Sequence, residues 1–197
     1  MKTLKSLISD VGRCRLCEAN LPLGPNPVLQ CSNTAKILIA GQAPGRRAHI
    51  SGIPFDDASG DRLRDWMGID REVFYDTSRI AILPMGFCYP GTGKSGDLPP
   101  RPECAIQWRQ RLLEHMKQIE LILVIGQYAQ HYHFDIKFRS LTDLVRGWQD
   151  FWPGMLPLPH PSPRNNRWLK QNPWFETELL PELKTRINQI LPGQIDG

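Results

Sequence analysis

Lys36-Ile37-Leu38-Ile39-Ala40-Gly41-Gln42-Ala43-Pro44-Gly45 is the stretch that decides the fold. An apolar run this short, closed by a glycine- and proline-rich turn, reads as a strand buried on both faces and not as a helix. Residues 79–84, 120–126 and 155–159 repeat the pattern. Helical periodicity lies between and around these runs. Residues 59–67 place Leu63, Trp66 and Met67 on one face, with Asp57 or Ser59 as the cap. Residues 103–118 carry Ile106, Leu113 and Met116, and residues 176–191 carry Leu179, Leu180, Leu183, Ile187 and Ile190. A weaker helix covers 4–11. Buried strands alternating with helices predict an α/β fold around a central, mainly parallel four-stranded sheet.

Each predicted strand runs into unusual sequence. Gly41–Gly45 follows the first, Met85-Gly86-Phe87-Cys88-Tyr89-Pro90 the second, Gly126-Gln127 the third and His160-Pro161-Ser162-Pro163-Arg164-Asn165 the fourth. Ligands of open α/β sheets bind at the carboxyl ends of the strands, so these four loops outline one pocket. Two long Pro-rich stretches, 21–35 and 89–102, remain irregular; loops of that length are functional or tied down.

The chain has 197 residues, 24 Lys plus Arg against 20 Asp plus Glu, and a net charge of +4. That length suits one domain over 1–197, with a cysteine-bearing segment 1–35 packed on it. No apolar stretch is long enough to span a bilayer, and Met1–Ser6 leads into no sustained apolar run, so no membrane or secretory role is expected. The expectation is a cytoplasmic, nucleoid-associated monomer, and the mild basicity permits nucleic acid as a partner.

Five cysteines are too few for a disulfide scaffold and too uneven for full pairing. Cys14 and Cys17 form a C-x-x-C pair, Cys88 and Cys104 bracket the second Pro-rich stretch, and Cys31 is left over. Four such thiols point to zinc, to an iron–sulfur cluster, or to buried free thiols.

Taken together, the loop motifs resemble the uracil-DNA glycosylase superfamily, and the closest pattern looks like its iron–sulfur (family 4) branch. Gly41-Gln42-Ala43-Pro44-Gly45 is similar to that branch's G-E-A-P-G. Gly52-Ile53-Pro54-Phe55-Asp56-Asp57-Ala58-Ser59-Gly60 keeps the first Gly, the Pro-Phe and the last Gly of G-x-P-F-V-G-x-A-G. Cys14, Cys17, Cys88 and Cys104 match its cysteine pattern. His160-Pro161-Ser162-Pro163-Arg164-Asn165 looks more like the second motif of the single-strand-selective branch.

The resemblance implies a three-layer α/β/α sandwich, a [4Fe–4S] cluster on those four cysteines (zinc being the alternative), and excision of uracil or a related damaged base from DNA. It makes His160 the donor to the leaving base, Gln42 and Ala43 the anion-facing turn, and Phe55 the stacking ring. Ser162, Arg164 and Asn165 would meet DNA, with Arg46, Arg47, Lys94, Arg101 and Arg167 on a basic rim. Two departures stand out. Gln42 replaces the branch's carboxylate, and an amide orients water but takes no proton from it. Pro84 occupies the position of the base-reading Asn, four residues before Cys88. Asp56 or Asp57 could supply a carboxylate, and Gln127 or the backbone near Met85 could read the base. The competing readings are a glycosylase-like module that binds DNA or a nucleobase without turnover, and a zinc-stapled domain acting on another nucleotide.

Overall fold

The structure, a computed structural model, describes residues 2–94, 96–135 and 137–192. The strands are β1 (Ile37–Ala40), β2 (Ile80–Ile82), β3 (Thr92–Gly93), β4 (Gly96–Asp97), β5 (Leu121–Ile125) and β6 (Met155–Leu158). The helices are α1 (Leu4–Gly12), α2 (Arg46–Ser51), α3 (Ala58–Met67), α4 (Arg71–Tyr75), α5 (Pro102–Cys104), α6 (Gln110–Leu113), α7 (Gly126–His133), α8 (Leu141–Arg146), α9 (Asn166–Gln171) and α10 (Leu180–Ile190). A wide π turn, Ala105–Arg109, joins α5 to α6, and a second one, Phe175–Leu179, leads into α10. Among the described residues no helix is long and apolar enough to cross a membrane.

The central sheet has the order β2–β1–β5–β6, and all of its pairs are parallel. Because side chains alternate along a strand, Ile37 and Ile39 enter one core while Leu38 enters another. The first core packs α3 and α10 on the sheet, through Leu63, Trp66, Met67, Leu183 and Ile187. The second packs α1 and the α5–α6 segment on the opposite face, through Leu7, Val11, Trp108 and Leu112. Layers on both faces make the α/β/α sandwich. β6 lies at the edge, where Pro157 is tolerated because the outer side of that strand needs no ladder donor.

The Pro-rich segment 21–35 is tied down. Gln30 exchanges both backbone hydrogen bonds with Ile82, and its buried amide donates to the carbonyls of Phe74 and Ile80. The segment thereby covers the free edge of β2. The stretch 89–102 is less irregular than expected, since β3 and β4 form a short antiparallel hairpin there. The helix expected over 103–118 ends at Leu113, and Ile106 is 83% exposed. The π turn changes the phase of the helix: an i→i+5 turn carries one extra residue, which swings Ile106 outward and Arg109 into the core.

Candidate active site

The chain passes from β1 to β2 on one side and from β5 to β6 on the other, so the loops after β1 and β5 diverge and leave a crevice between them. A cleft of about 660 Å³ opens there. Its walls include Gln42, Ala43, Phe55, Pro84, Gln127 and His160. The loop after β6 supplies His160 and is fastened from three sides. Asn165 Nδ2 donates to the His160 carbonyl (2.7 Å), Arg62 donates to the Ser162 carbonyl (3.0 Å), and Arg62 also reaches Asn166 Oδ1 (2.7 Å). Ser162 Oγ accepts the Arg164 amide and caps the turn.

The ring of His160 is fixed as well. Its Nδ1 accepts the Ser162 N–H at 3.2 Å, which leaves Nε2 as the nitrogen that carries hydrogen in the neutral ring. Burial holds its pKa below the ordinary value, with Asp57 and Asp97 pulling up and Arg164 pulling down. Neutral imidazole with a fixed N–H donor is therefore the form present at pH 7.

Phe55 sits at the mouth of α3 with φ +55°, a left-handed backbone that a bulky residue adopts only where its surroundings enforce it. The surroundings are Gly60 and Gly41. A Cβ on Gly60 would lie 1.8 Å from the Phe55 carbonyl oxygen, and one on Gly41 would lie 3.4 Å from the Phe55 ring. The ring also meets Phe74 edge-on, at a centroid separation of 6.2 Å. Asp57 caps α3 by accepting the Ser59 and Gly60 amides.

The opposite wall is the segment from Pro84 to Leu98. Gln42 Nε2 donates to the Leu98 carbonyl (3.2 Å), so this amide is tethered to the hairpin. The amides of Met85 and Gly86 are engaged with the Gly41 and Gln42 carbonyls, both at 2.9 Å. Beneath Pro84 lies Arg109, fully buried, donating to the carbonyls of Leu83 and Pro84 and to His133 Nε2 (2.7 Å), with its guanidinium over the Tyr132 ring.

Beside this wall the four motif cysteines come together. Cys17 and Cys88 pack in one small buried cluster, and Cys104 lies within electrostatic reach of Cys17, Cys88 and Cys14. Burial pushes the Cys88 thiol up to about 11 and Cys104 to about 12. Against that, N–H groups point at three of the sulfurs: Trp108 Nε1 at Cys14 (3.3 Å), the Asn26 amide at Cys88 and the Phe87 amide at Cys104. Among the described residues no group of three or more His, Cys, Asp or Glu is drawn together tightly enough to hold a metal ion. Cys31 lies elsewhere, packed against the core that contains α1, with burial pushing its thiol to about 11.

The sequence model of the uracil DNA glycosylase superfamily matches residues 29–184, from the strand-edge segment into the first turn of α10. The chain belongs to that superfamily. It is 26% identical over 152 residues to the type-4 uracil-DNA glycosylase of Archaeoglobus fulgidus, a match covering 74% of this chain and 71% of the relative. It also resembles a solution structure described as a candidate uracil DNA glycosylase of Methanosarcina acetivorans, at 17% identity and a TM-score of 0.46, covering 81% and 98% of the two chains.

Within this glycosylase-family fold, the cleft gathers Gln42, Ala43, Phe55, His160, Ser162, Arg164 and Asn165. Ser162 and Asn165 hold the His160 loop through the hydrogen bonds above, a more internal role than DNA contact. Arg101 leaves the basic rim: it pairs with Glu103 (2.5 Å) beside the cysteines. Asp56 pairs with Arg71 (2.8 Å), whereas Asp57 lines the cleft. The amides at Met85 and Gly86 are unavailable to a base, which leaves Gln127. Sequence reading missed Arg62, Asp97 and Arg109. A lone Arg or Asp in a helix or loop carries no motif, and it is α3, the hairpin and the π turn that bring Arg62, Asp97 and Arg109 to the site.

Proposed function

We propose that this protein is a DNA glycosylase that hydrolyses the N-glycosidic bond of uracil or another deaminated base. The observation that carries the reading is the fixed N–H of neutral His160 in a cleft that also holds the ring of Phe55. Such an enzyme must take the base out of the stack, hold it and stabilise the anion that leaves. Phe55 offers the stacking face. His160 Nε2–H offers a donor set in advance for the base oxygen where charge develops, commonly the largest catalytic contribution. The Gln42–Ala43 turn offers backbone N–H groups to the same anion. Gln127, which lines the same cleft, would read the base edge where Pro84 cannot. Exposed Arg46, Arg47, Lys94 and Arg167, with Arg164, supply cations for phosphates.

Cys14, Cys17, Cys88 and Cys104 would hold a [4Fe–4S] cluster. The N–H donors aimed at three of the sulfurs suit thiolates, and a cube that gives each thiolate its own iron accepts a wider spread than a single tetrahedral zinc. Such a group would clamp the N-terminal segment to the loop that carries Cys88, and so hold the Pro84–Leu98 wall.

The test is release of free base from single- and double-stranded oligonucleotides carrying uracil, hypoxanthine or xanthine. The reading predicts release of at least one base. Tight binding with no release from any of them would replace it with a non-catalytic binding module.

A further inference from the structure

We propose that Asp97, on the β3–β4 hairpin, is the carboxylate that takes the proton of the attacking water. The proposal rests on the glycosylase reading. It answers the question raised by Gln42, which stands where an acid is expected and whose amide is tethered to the Leu98 carbonyl. That tether is itself informative. It pins to the first loop the residue next to Asp97, so the side chain that lost its acidity now holds the hairpin that carries one.

Four observations place Asp97. It lines the cleft with His160, Phe55 and Gln42. A Cβ built on Gly45 would lie 3.6 Å from Asp97 Oδ2, so this oxygen looks directly onto the first loop. Asp97 is near enough to His160 to favour its protonated form, though less strongly than Asp57 does. Finally, its other oxygen is anchored: Thr92 Oγ1 donates to Oδ1 (3.3 Å), and Thr92 in turn meets the hydroxyl of buried Tyr89 at 2.5 Å. One oxygen is held and the other faces the cleft, the arrangement a general base needs.

Of the two alternative carboxylates, Asp57 shares the arrangement of one held oxygen and one that faces the first loop, so Asp57→Asn is measured as the rival, and a larger loss of release there than in Asp97→Asn would overturn the assignment. Asp56 is paired with Arg71. Asp57 also looks onto Gly45, at 3.8 Å, but its Oδ1 caps α3 through two amides and so holds the turn under Phe55. Gly96, just before Asp97, has φ +139°, and a Cβ there would lie 2.4 Å from the Arg164 guanidinium. That φ is one glycine adopts readily, whereas the Arg164 guanidinium, at the end of a flexible side chain, could shift aside.

The step balances without a co-reactant. The C1′–N bond breaks and its electron pair leaves with the base, whose oxygen is held by His160 Nε2–H. The water oxygen forms the new C1′–O bond. Its proton passes to Asp97 Oδ2 and then to solvent, and the base anion takes a proton from solvent.

The experiment measures single-turnover base release and, separately, affinity for abasic-site product DNA, for wild type, Asp97→Asn and Asp57→Asn. Asparagine keeps an acceptor for Thr92 and removes only the basicity. The expected result is a fall in the release rate of about 10²–10⁴ for Asp97→Asn, with product affinity within about threefold of wild type. Release by Asp97→Asn within about threefold of wild type would overturn the assignment, as would parallel loss of affinity and rate. A wild type that releases no base would instead overturn the glycosylase reading on which the proposal rests.

Discussion

The two walls of the cleft are built on different principles. The His160 wall opens with the His-Pro pair of the family's second motif, and side chains from outside the loop, notably Arg62, hold its backbone. The Pro84–Leu98 wall departs from the pattern at Pro84, where the base-reading Asn is expected, yet its backbone is held at least as firmly. Arg109 grips two consecutive carbonyls from below, Met85 and Gly86 lock onto the first loop, and the Gln42 amide holds Leu98. The difference teaches that a backbone frame can persist while the groups that do chemistry on it are redistributed. The proposed anion donor, His160, lies on one wall, and the proposed water-activating carboxylate, Asp97, lies on the other.

The sharpest way to break this contrast is at the wall that matches the family. His160→Ala is expected to slow base release by about 10²–10³ while leaving DNA affinity nearly unchanged, a comparison that single-turnover kinetics and fluorescence anisotropy make directly. On the opposite wall, Arg109→Met removes the donor to two buried carbonyls. A group left unsatisfied in this way costs about 1–3 kcal/mol, so urea denaturation should show a loss of at least that size. Base release should fall with it at the temperature where the wall loosens. Phe55→Ala should weaken binding of lesion DNA by about 1–3 kcal/mol through lost stacking, and should leave affinity for undamaged duplex unchanged.

The smallest effect concerns the support under the second wall. His133 accepts from Arg109, which only the neutral ring can do. Burial, and then the Arg109 charge, lower its pKa from 6.5 to about 3. Between those values the unfolded chain binds a proton that the folded protein does not. Stability therefore falls as pH drops below 6.5, by up to about 1.4 kcal/mol per pH unit from this group. His133→Gln retains an acceptor and removes the titration. Urea midpoints measured at pH 8 and pH 5 should move less in the variant than in wild type.

The sheet and its pocket were legible because buried strands and strand-end glycines leave local signals. Each predicted strand, such as 36–41, is observed within a residue or two as Ile37–Ala40. The helix over 103–118 was misjudged because periodicity cannot show a π turn, and that turn delivers Arg109. The cleft's motif residues were legible for the same local reason. Asp97 was not, since a two-residue strand in a Pro- and Gly-rich stretch has no period, and the hydrogen bond that places it joins residues 42 and 98. The cysteine spacing revealed which thiols converge, and burial and N–H donors add why they suit thiolate ligation.

The central claim is that His160 drives base expulsion in this cleft. Its most direct test is single-turnover release of free uracil from a single-stranded oligonucleotide, using protein purified without chelator or oxidant, with His160→Ala alongside. The account predicts uracil release by the wild type and a rate lower by about two orders of magnitude or more in the variant. Equal release by both proteins would contradict it.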